Sequence, residues 1–150
     1  MDHKALIEAA LDARRRSYSP YSGYRVGAAI LCGDGTIVTG TNIENASYGA
    51  TVCAERCAVF SAVASGKRDF SAIAIVGGSG SENDRTDDYA FPCGICRQVL
   101  REFADPASFL VIVAKSPDDH REYTLQQLLP ESFGPDNLSE KENSDENQAV

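Results

Sequence analysis

Three cysteines and one glutamate carry most of the chemical signal in this 150-residue chain: Cys53-Ala54-Glu55 and, further along, Pro92-Cys93-Gly94-Ile95-Cys96. A Cys-x-x-Cys pair with a third, distant cysteine fits soft tetrahedral Zn²⁺ coordination, and three protein ligands leave a fourth position for water. Glu55 follows Cys53 by two residues. At about 100° per helical residue it points away from the ligand direction, where it can take a proton from the metal's water instead of binding the metal. Such a set reads as metal-activated hydroxide with a general acid/base shuttle, suited to hydrolytic attack on an sp² carbon. Two other readings use the same residues. Cys57, one helical turn after Cys53, would close a four-thiolate structural site, which gives Glu55 no role. A Cys-x-x-Cys alone also serves redox chemistry, a reading that Pro92 and the third cysteine disfavour.

For three thiols to meet, two helix starts must point at one place. The alanine-rich stretch from Cys53 to Ser65 reads as a helix stopped by Gly66, and a second helix runs from about Cys93 to Ala104. Residues 70–76 and 109–113 are nearly continuous apolar runs, hence strands covered on both faces. With these strands parallel, both helix starts lie at the strands' C-terminal edge, where α/β sites form. Residues 2–16 read as a first helix, its three closing arginines (Arg14, Arg15, Arg16) as favourable charge at a helix C-terminus. Residues 26–31 and 36–40 around Gly33-Asp34-Gly35 form a hairpin, and residues 77–91 a long flexible loop. The link from 115 to 119 is too short for a parallel crossover, so a fifth strand, 120–124, runs antiparallel to the fourth, before a short helix at 125–129.

A composition of 43% hydrophobic and 24% charged residues is that of one globular domain. The net charge of −8 and the lack of a basic stripe argue against a nucleic-acid partner, and no apolar run approaches the roughly 18 residues of a membrane span. The start Met1-Asp2-His3-Lys4 lacks the basic region and long apolar stretch of a signal peptide, which predicts a reducing cytoplasm. Residues 136–150, with Asp136, Glu140, Glu142, Asp145 and Glu146 against Lys141, read as an acidic disordered tail, leaving 1–135 as the domain. Cys32 reads as a core residue, and His3 and His120 receive no metal role.

Zinc ligand-x-Glu followed by Pro-Cys-x-x-Cys is the signature of zinc nucleobase deaminases. Beyond it, the stretches Tyr21 to Ala29 (YSGYRVGAA), Asn42 to Tyr48 (NIENASY), Cys53 to Arg56, Pro92 to Gln98 and Leu128-Leu129-Pro130 closely resemble the small homotetrameric cytidine deaminases, in register over about residues 5–135. The resemblance implies a three-layer α-β-α fold with a mixed five-stranded sheet whose last two strands are antiparallel. Polynucleotide-editing relatives run that last strand parallel. It implies one Zn²⁺ per subunit on Cys53, Cys93 and Cys96, and hydrolysis of cytidine and deoxycytidine to uridine and deoxyuridine with release of ammonia, in pyrimidine salvage. Zinc-bound hydroxide would attack C4, Glu55 would protonate N3 and then the leaving amino group, and the Ala54 N–H would hold the base carbonyl.

The same resemblance places Asn42 and Glu44 on the ribose 3′-OH, and sets Tyr24 beside the nucleoside where the family usually has Phe. Ala46 and Tyr48 would complete the 5′ end of a neighbouring subunit's site, and Phe133 would reach into a neighbour's pocket. Arg56 would hydrogen-bond the ligand sulfurs. Three thiolates leave the zinc site with one net negative charge, which makes the metal a poorer Lewis acid, and Arg56 draws that charge off. Phe91 stands where a small polar residue is more usual, in a stretch expected to receive the amino group through backbone carbonyls. A deaminase of another cytosine-bearing small molecule is the nearest rival, disfavoured by Asn42-Ile43-Glu44 and Arg56.

Overall fold

Alternation along the central strand sets the layers. In β3 (Phe70–Gly78), Ile73 and Ile75 point to one face while Ala72, Ala74 and Val76 point to the other, all fully buried. The computed structural model describes residues 3–139 and orders the elements as α1 (His3–Arg14), β1 (Arg25–Cys32), β2 (Ile37–Thr41), α2 (Ala54–Ala64), β3, α3 (Gly94–Phe103), β4 (Leu110–Ser116), β5 (Asp119–Thr124), α4 (Leu125–Leu128) and α5 (Asp136–Ser139). The sheet order is β2-β1-β3-β4-β5. β1 is antiparallel to both neighbours, β3 and β4 are parallel, and β4 and β5 are antiparallel across a two-residue turn, as the short link predicts.

Each sheet face has its own core. Ala29, Ala72, Ala74, Val76, Ile112 and Ala114 meet Leu6, Ile7, Ala10 and Leu11 of α1. The opposite face, with Ile30, Ile73, Ile75, Val111 and Val113, meets Ala58, Val59 and Ala62 of α2 and Leu100 of α3. The result is the expected three-layer α-β-α arrangement. Small residues let the helices seat closely. A Cβ on Gly40 of β2 would lie 2.4 Å from the Ala58 nitrogen and 2.7 Å from the Ala54 oxygen, so the start of α2 rests directly on that glycine.

Strand directions bring the expected site segments together. The C-terminal ends of β2 and β3 share a sheet edge with the N-terminal end of β1, because β1 runs antiparallel to both. Tyr24 just before β1, Asn42 and Glu44 just after β2, and the loop leaving β3 therefore all arrive at one edge. α2 precedes β3 and α3 precedes β4, so both helix starts face that edge.

Three sequence expectations change. The first helix ends at Arg14 instead of residue 16, and its first expected residue, Asp2, lies outside the described residues. Arg14 is not a solvated charge at a helix end. It is 1% exposed, and its guanidinium donates to the carbonyls of Arg25 (3.0 Å), Gly78 (2.8 Å), Gly80 (2.7 Å) and Glu82 (2.8 Å). A buried cation without a carboxylate is tolerated because carbonyl dipoles replace its lost hydration. Those bonds, with the Thr86 N–H on the Lys115 carbonyl at 2.8 Å, tie down the segment expected to be a flexible loop. The first residues of the segment expected to be a disordered tail are ordered. Asp136–Ser139 forms one helical turn, with Arg101 Nη2 on Asp136 Oδ1 at 2.8 Å, and residues 140–150 lie outside the described residues.

Replacing Arg14 by Met keeps the side-chain bulk and removes every donor to these carbonyls. Arg14→Met should lower unfolding free energy by on the order of 2–4 kcal/mol in chemical denaturation, and should open residues 79–91 to limited proteolysis before the rest of the chain.

Candidate active site

The three cysteines of the motif converge. Cys53 Sγ lies 3.8 Å from Cys93 Sγ, Cys93 Sγ lies 3.6 Å from Cys96 Sγ, and all three sulfurs sit within 4.8 Å of one another. A tetrahedron with Zn–S bonds of about 2.3 Å has edges of about 3.8 Å, so the sulfurs already stand at zinc-binding separation. Cys57 lies outside this group, which excludes it as a fourth ligand in this arrangement. No cysteine is in a disulfide.

Local structure explains the electrostatics. Cys53 and Cys93 are the N-cap residues of α2 and α3, both extended, and neither side chain caps its helix. First-turn N–H groups and two helix dipoles therefore face the sulfurs, which favours thiolate. Arg56 Nη2 donates to Cys53 Sγ at 3.4 Å. The Cys53 thiol is lowered to about 5, chiefly by a hydrogen bond from Cys96 and further by Arg56 and Cys93, while that shared proton and burial push Cys96 up. One proton is thus held between sulfurs that a divalent cation would take over. The anionic sulfurs raise the Arg56 guanidinium above its ordinary value and keep it charged.

Glu55 is 4% exposed and stands among the residues of the adjoining cavity, outside the sulfur group. Burial, with the Cys53 charge adding to it, raises its carboxyl to about 7, where a group can both accept and return a proton near neutrality. The cavity holds about 400 Å³, the size of a small-molecule site, and includes Tyr24, Asn42, Glu44, Cys53, Ala54, Glu55 and Cys93. A larger groove of about 600 Å³ beside α1, lined by Glu8, Asp12, Arg85 and Lys115 among others, contains none of the sulfur ligands.

Asn42 and Glu44 are built in rather than loose. Asn42 Nδ2 donates to the Tyr24 carbonyl at 2.8 Å, and its Oδ1 accepts from Val26 N–H at 2.9 Å and from Ser17 Oγ. Glu44 accepts from the N–H groups of Tyr21 (2.9 Å) and Ser22 (3.2 Å) and from the Ser22 hydroxyl, which holds its carboxyl below the usual range. Tyr24 is raised by burial and by the Asp88 carboxylate, so its extra hydroxyl has a partner within the chain. Ala46 and Tyr48 do not line the cavity. Both are exposed, Tyr48 at 77%, and Tyr48 lines a separate depression with Tyr21, Glu44 and Thr51. Phe133 is also exposed, its carbonyl accepting from Gln98 Nε2.

Sequence reasoning missed Ser22, which orients Glu44, and Tyr89 in the cavity wall. Tyr89 is anchored by Asp119 through its hydroxyl and by Lys115 and Arg121 over its ring at 4.6 and 4.2 Å. Ser22 lies within the YSGYRVGAA stretch, whereas Tyr89's anchors come from the distant β4–β5 hairpin and leave no local signal. Phe91, the other departure near Pro92, packs against Tyr123 with ring centroids 5.5 Å apart.

Three sulfurs at zinc-binding separation, with a buried carboxyl in the adjoining small-molecule cavity, fit a zinc-dependent hydrolase. Comparison with known proteins narrows the class. Residues 1–112 match the family model described as the cytidine and deoxycytidylate deaminase zinc-binding region. A cytidine deaminase of Halalkalibacterium halodurans is 44% identical over 140 residues, 93% of this chain and 100% of that protein. One from Mycobacterium tuberculosis is 45% identical over 141 residues, covering 92% and 94%. The crystal structure of cytidine deaminase from Burkholderia pseudomallei superimposes with a TM-score of 0.79 at 46% identity, over 89% of this chain and 100% of that one. The chain belongs to the zinc-dependent cytidine and deoxycytidylate deaminase family.

The thiolate set makes a direct test. Cys93→Ser should drop bound zinc from one per chain to a small fraction by elemental analysis. Cys57→Ser should retain the full zinc content and activity, whereas loss of zinc in that variant would restore the four-thiolate reading.

Proposed function

We propose that this protein hydrolyses cytidine and deoxycytidine to uridine and deoxyuridine with release of ammonia, in pyrimidine salvage. The observation that carries the reading is Glu55, buried and raised to about 7, in the same cavity as the three-sulfur group. Zinc on Cys53, Cys93 and Cys96 supplies a Lewis acid that makes water nucleophilic at neutral pH. Glu55 would take one proton from the water and deliver it to N3 as the hydroxyl oxygen bonds C4, then carry the remaining hydroxyl proton to the amino group, so that C4=O forms as the C4–N bond breaks and ammonia departs. The Ala54 N–H, at the uncapped start of α2, holds the base carbonyl, and carbonyls before Pro92 receive the amino group. Arg56 offsets the charge of the sulfurs.

Hydrogen-bond counting supports the sugar contacts. Asn42 uses one of its two amide hydrogens, and Glu44 uses three of about four lone-pair sites among the described residues. One donor and one acceptor remain. A hydroxyl both donates and accepts, so the pair suits the ribose 3′-OH, which cytidine and deoxycytidine share. Tyr24 flanks the nucleoside.

The assembly we infer is a homotetramer, one Zn²⁺ per subunit, with Ala46, Tyr48 and Phe133 completing neighbours' sites. Ile43, Tyr48, Phe60, Ile95 and Phe133 are exposed apolar side chains available to contacts between subunits. Residues 1–135 form the deaminase domain and 136–150 its acidic tail. The net charge of −8 leaves no track for a nucleic-acid backbone, and no helix among the described residues is long and apolar enough to cross a membrane. Five unpaired thiols suit the cytoplasm.

Glu55→Gln preserves shape and the zinc ligands while removing the proton carrier. It should keep one zinc per chain and lose at least about 10²–10⁴-fold in turnover of cytidine; normal turnover would contradict the shuttle. Mixing Glu55→Gln chains with Tyr48→Ala chains, each inactive alone, should restore a fraction of the activity if sites are shared. Failure to complement after subunit exchange would confine each site to one chain.

A further inference from the structure

The chain has only two histidines, and the fold brings both to one carboxylate outside the sulfur group. His3 Nδ1, at the start of α1, lies 2.6 Å from Glu122 Oε2 of β5, 119 residues away in sequence. His120 Nε2 lies 3.3 Å from the same oxygen, and the two rings meet edge to face with centroids 6.1 Å apart. We propose that His3, His120 and Glu122 form a second metal site, which takes a late first-row divalent cation such as Zn²⁺ and staples the first helix to the edge strand of the sheet.

Ligand chemistry and geometry both support it. Two imidazole nitrogens and one carboxylate oxygen make a borderline donor set that zinc accepts, with a fourth position for water. The three donor atoms stand within 4.8 Å of one another. Nitrogen and oxygen ligands at about 2.0–2.1 Å from zinc stand about 3.3–3.4 Å apart in a tetrahedron, so the His120–Glu122 pair at 3.3 Å is already at that separation and the His3–Glu122 pair at 2.6 Å has to open by less than about 1 Å. The side chains of His3, His120 and Glu122 are 16%, 26% and 40% exposed, so an ion can enter without unfolding the fold around them.

The surroundings also set the strength of the site. His120 Nδ1 is buried without a hydrogen-bond partner among the described residues. A metal-bound imidazole normally donates that second N–H, and losing the partner costs roughly 10–100-fold in affinity. The second ion is therefore held more weakly than the one on three thiolates and is lost in dilute purification.

The test is a Zn²⁺ titration of the full zinc-loaded chain, followed by equilibrium dialysis with elemental analysis and by thermal unfolding. The wild type should take up a second zinc per chain in the micromolar range and melt several degrees higher with it. His3→Ala, His120→Ala and Glu122→Gln should each bind the second zinc at least about tenfold more weakly and lose the thermal shift, with the first zinc and cytidine turnover unchanged. Saturation of the wild type at one zinc per chain up to 100-fold molar excess, or a second zinc that survives in all three variants, would overturn the proposal. Because zinc on the thiolates and turnover are read in the same samples, failure of the second site is distinguishable from failure of the first.

Discussion

Three sulfurs must share one coordination sphere, and two of the cysteines that carry them occupy the N-cap positions of different helices. That constraint organises the rest of the molecule. Helices α2 and α3 can aim their N-termini at a common point only because β3 and β4 run parallel, which makes both helices descend from the same sheet edge. Zinc holds the two starts together when bound. The helix dipoles and Arg56 make the thiolates available to it. The surrounding packing is subordinate to that seat: Gly40 lets α2 lie directly on β2, and the alanine-rich face of the sheet accepts α1.

The cavity next to the sulfurs follows from the same edge. β1 runs antiparallel to β2 and β3, so the residues before β1 and after β2 are delivered there without long excursions. Arg14 secures the connection from β3 to α3 by binding four backbone carbonyls, including three from residues 78–82. Burying a guanidinium is costly, and desolvation lowers its pKa from the ordinary value. The gain is an ordered wall ahead of Pro92 and Cys93.

Much of this was legible in the sequence because the signals are local. The Cys-Ala-Glu and Pro-Cys-x-x-Cys spacings place ligands at helix starts, Gly66 ends α2 with φ +98°, and the short link before residue 120 forces the last hairpin antiparallel. What stayed hidden depends on side chains that reach across the fold. Arg14 looked like one of three surface arginines because nothing beside it reveals the carbonyls of residues 78–82. The two histidines lie at opposite ends of the chain, so their meeting at Glu122 has no pattern in sequence. Asp136 was read as the start of a disordered tail, yet Arg101 holds it in a helical turn. The roles proposed for Ala46, Tyr48 and Phe133 would be played in a neighbouring subunit's site, so nothing within one chain displays them.

The most direct measurement is ammonia release, with the matching ultraviolet change, when the zinc-loaded protein meets cytidine, deoxycytidine and a cytosine-containing oligonucleotide in parallel. Equimolar ammonia and uridine or deoxyuridine from the two nucleosides, with none from the oligonucleotide, is the predicted result. Silence on both nucleosides with zinc bound, or turnover of the oligonucleotide alone, would contradict it.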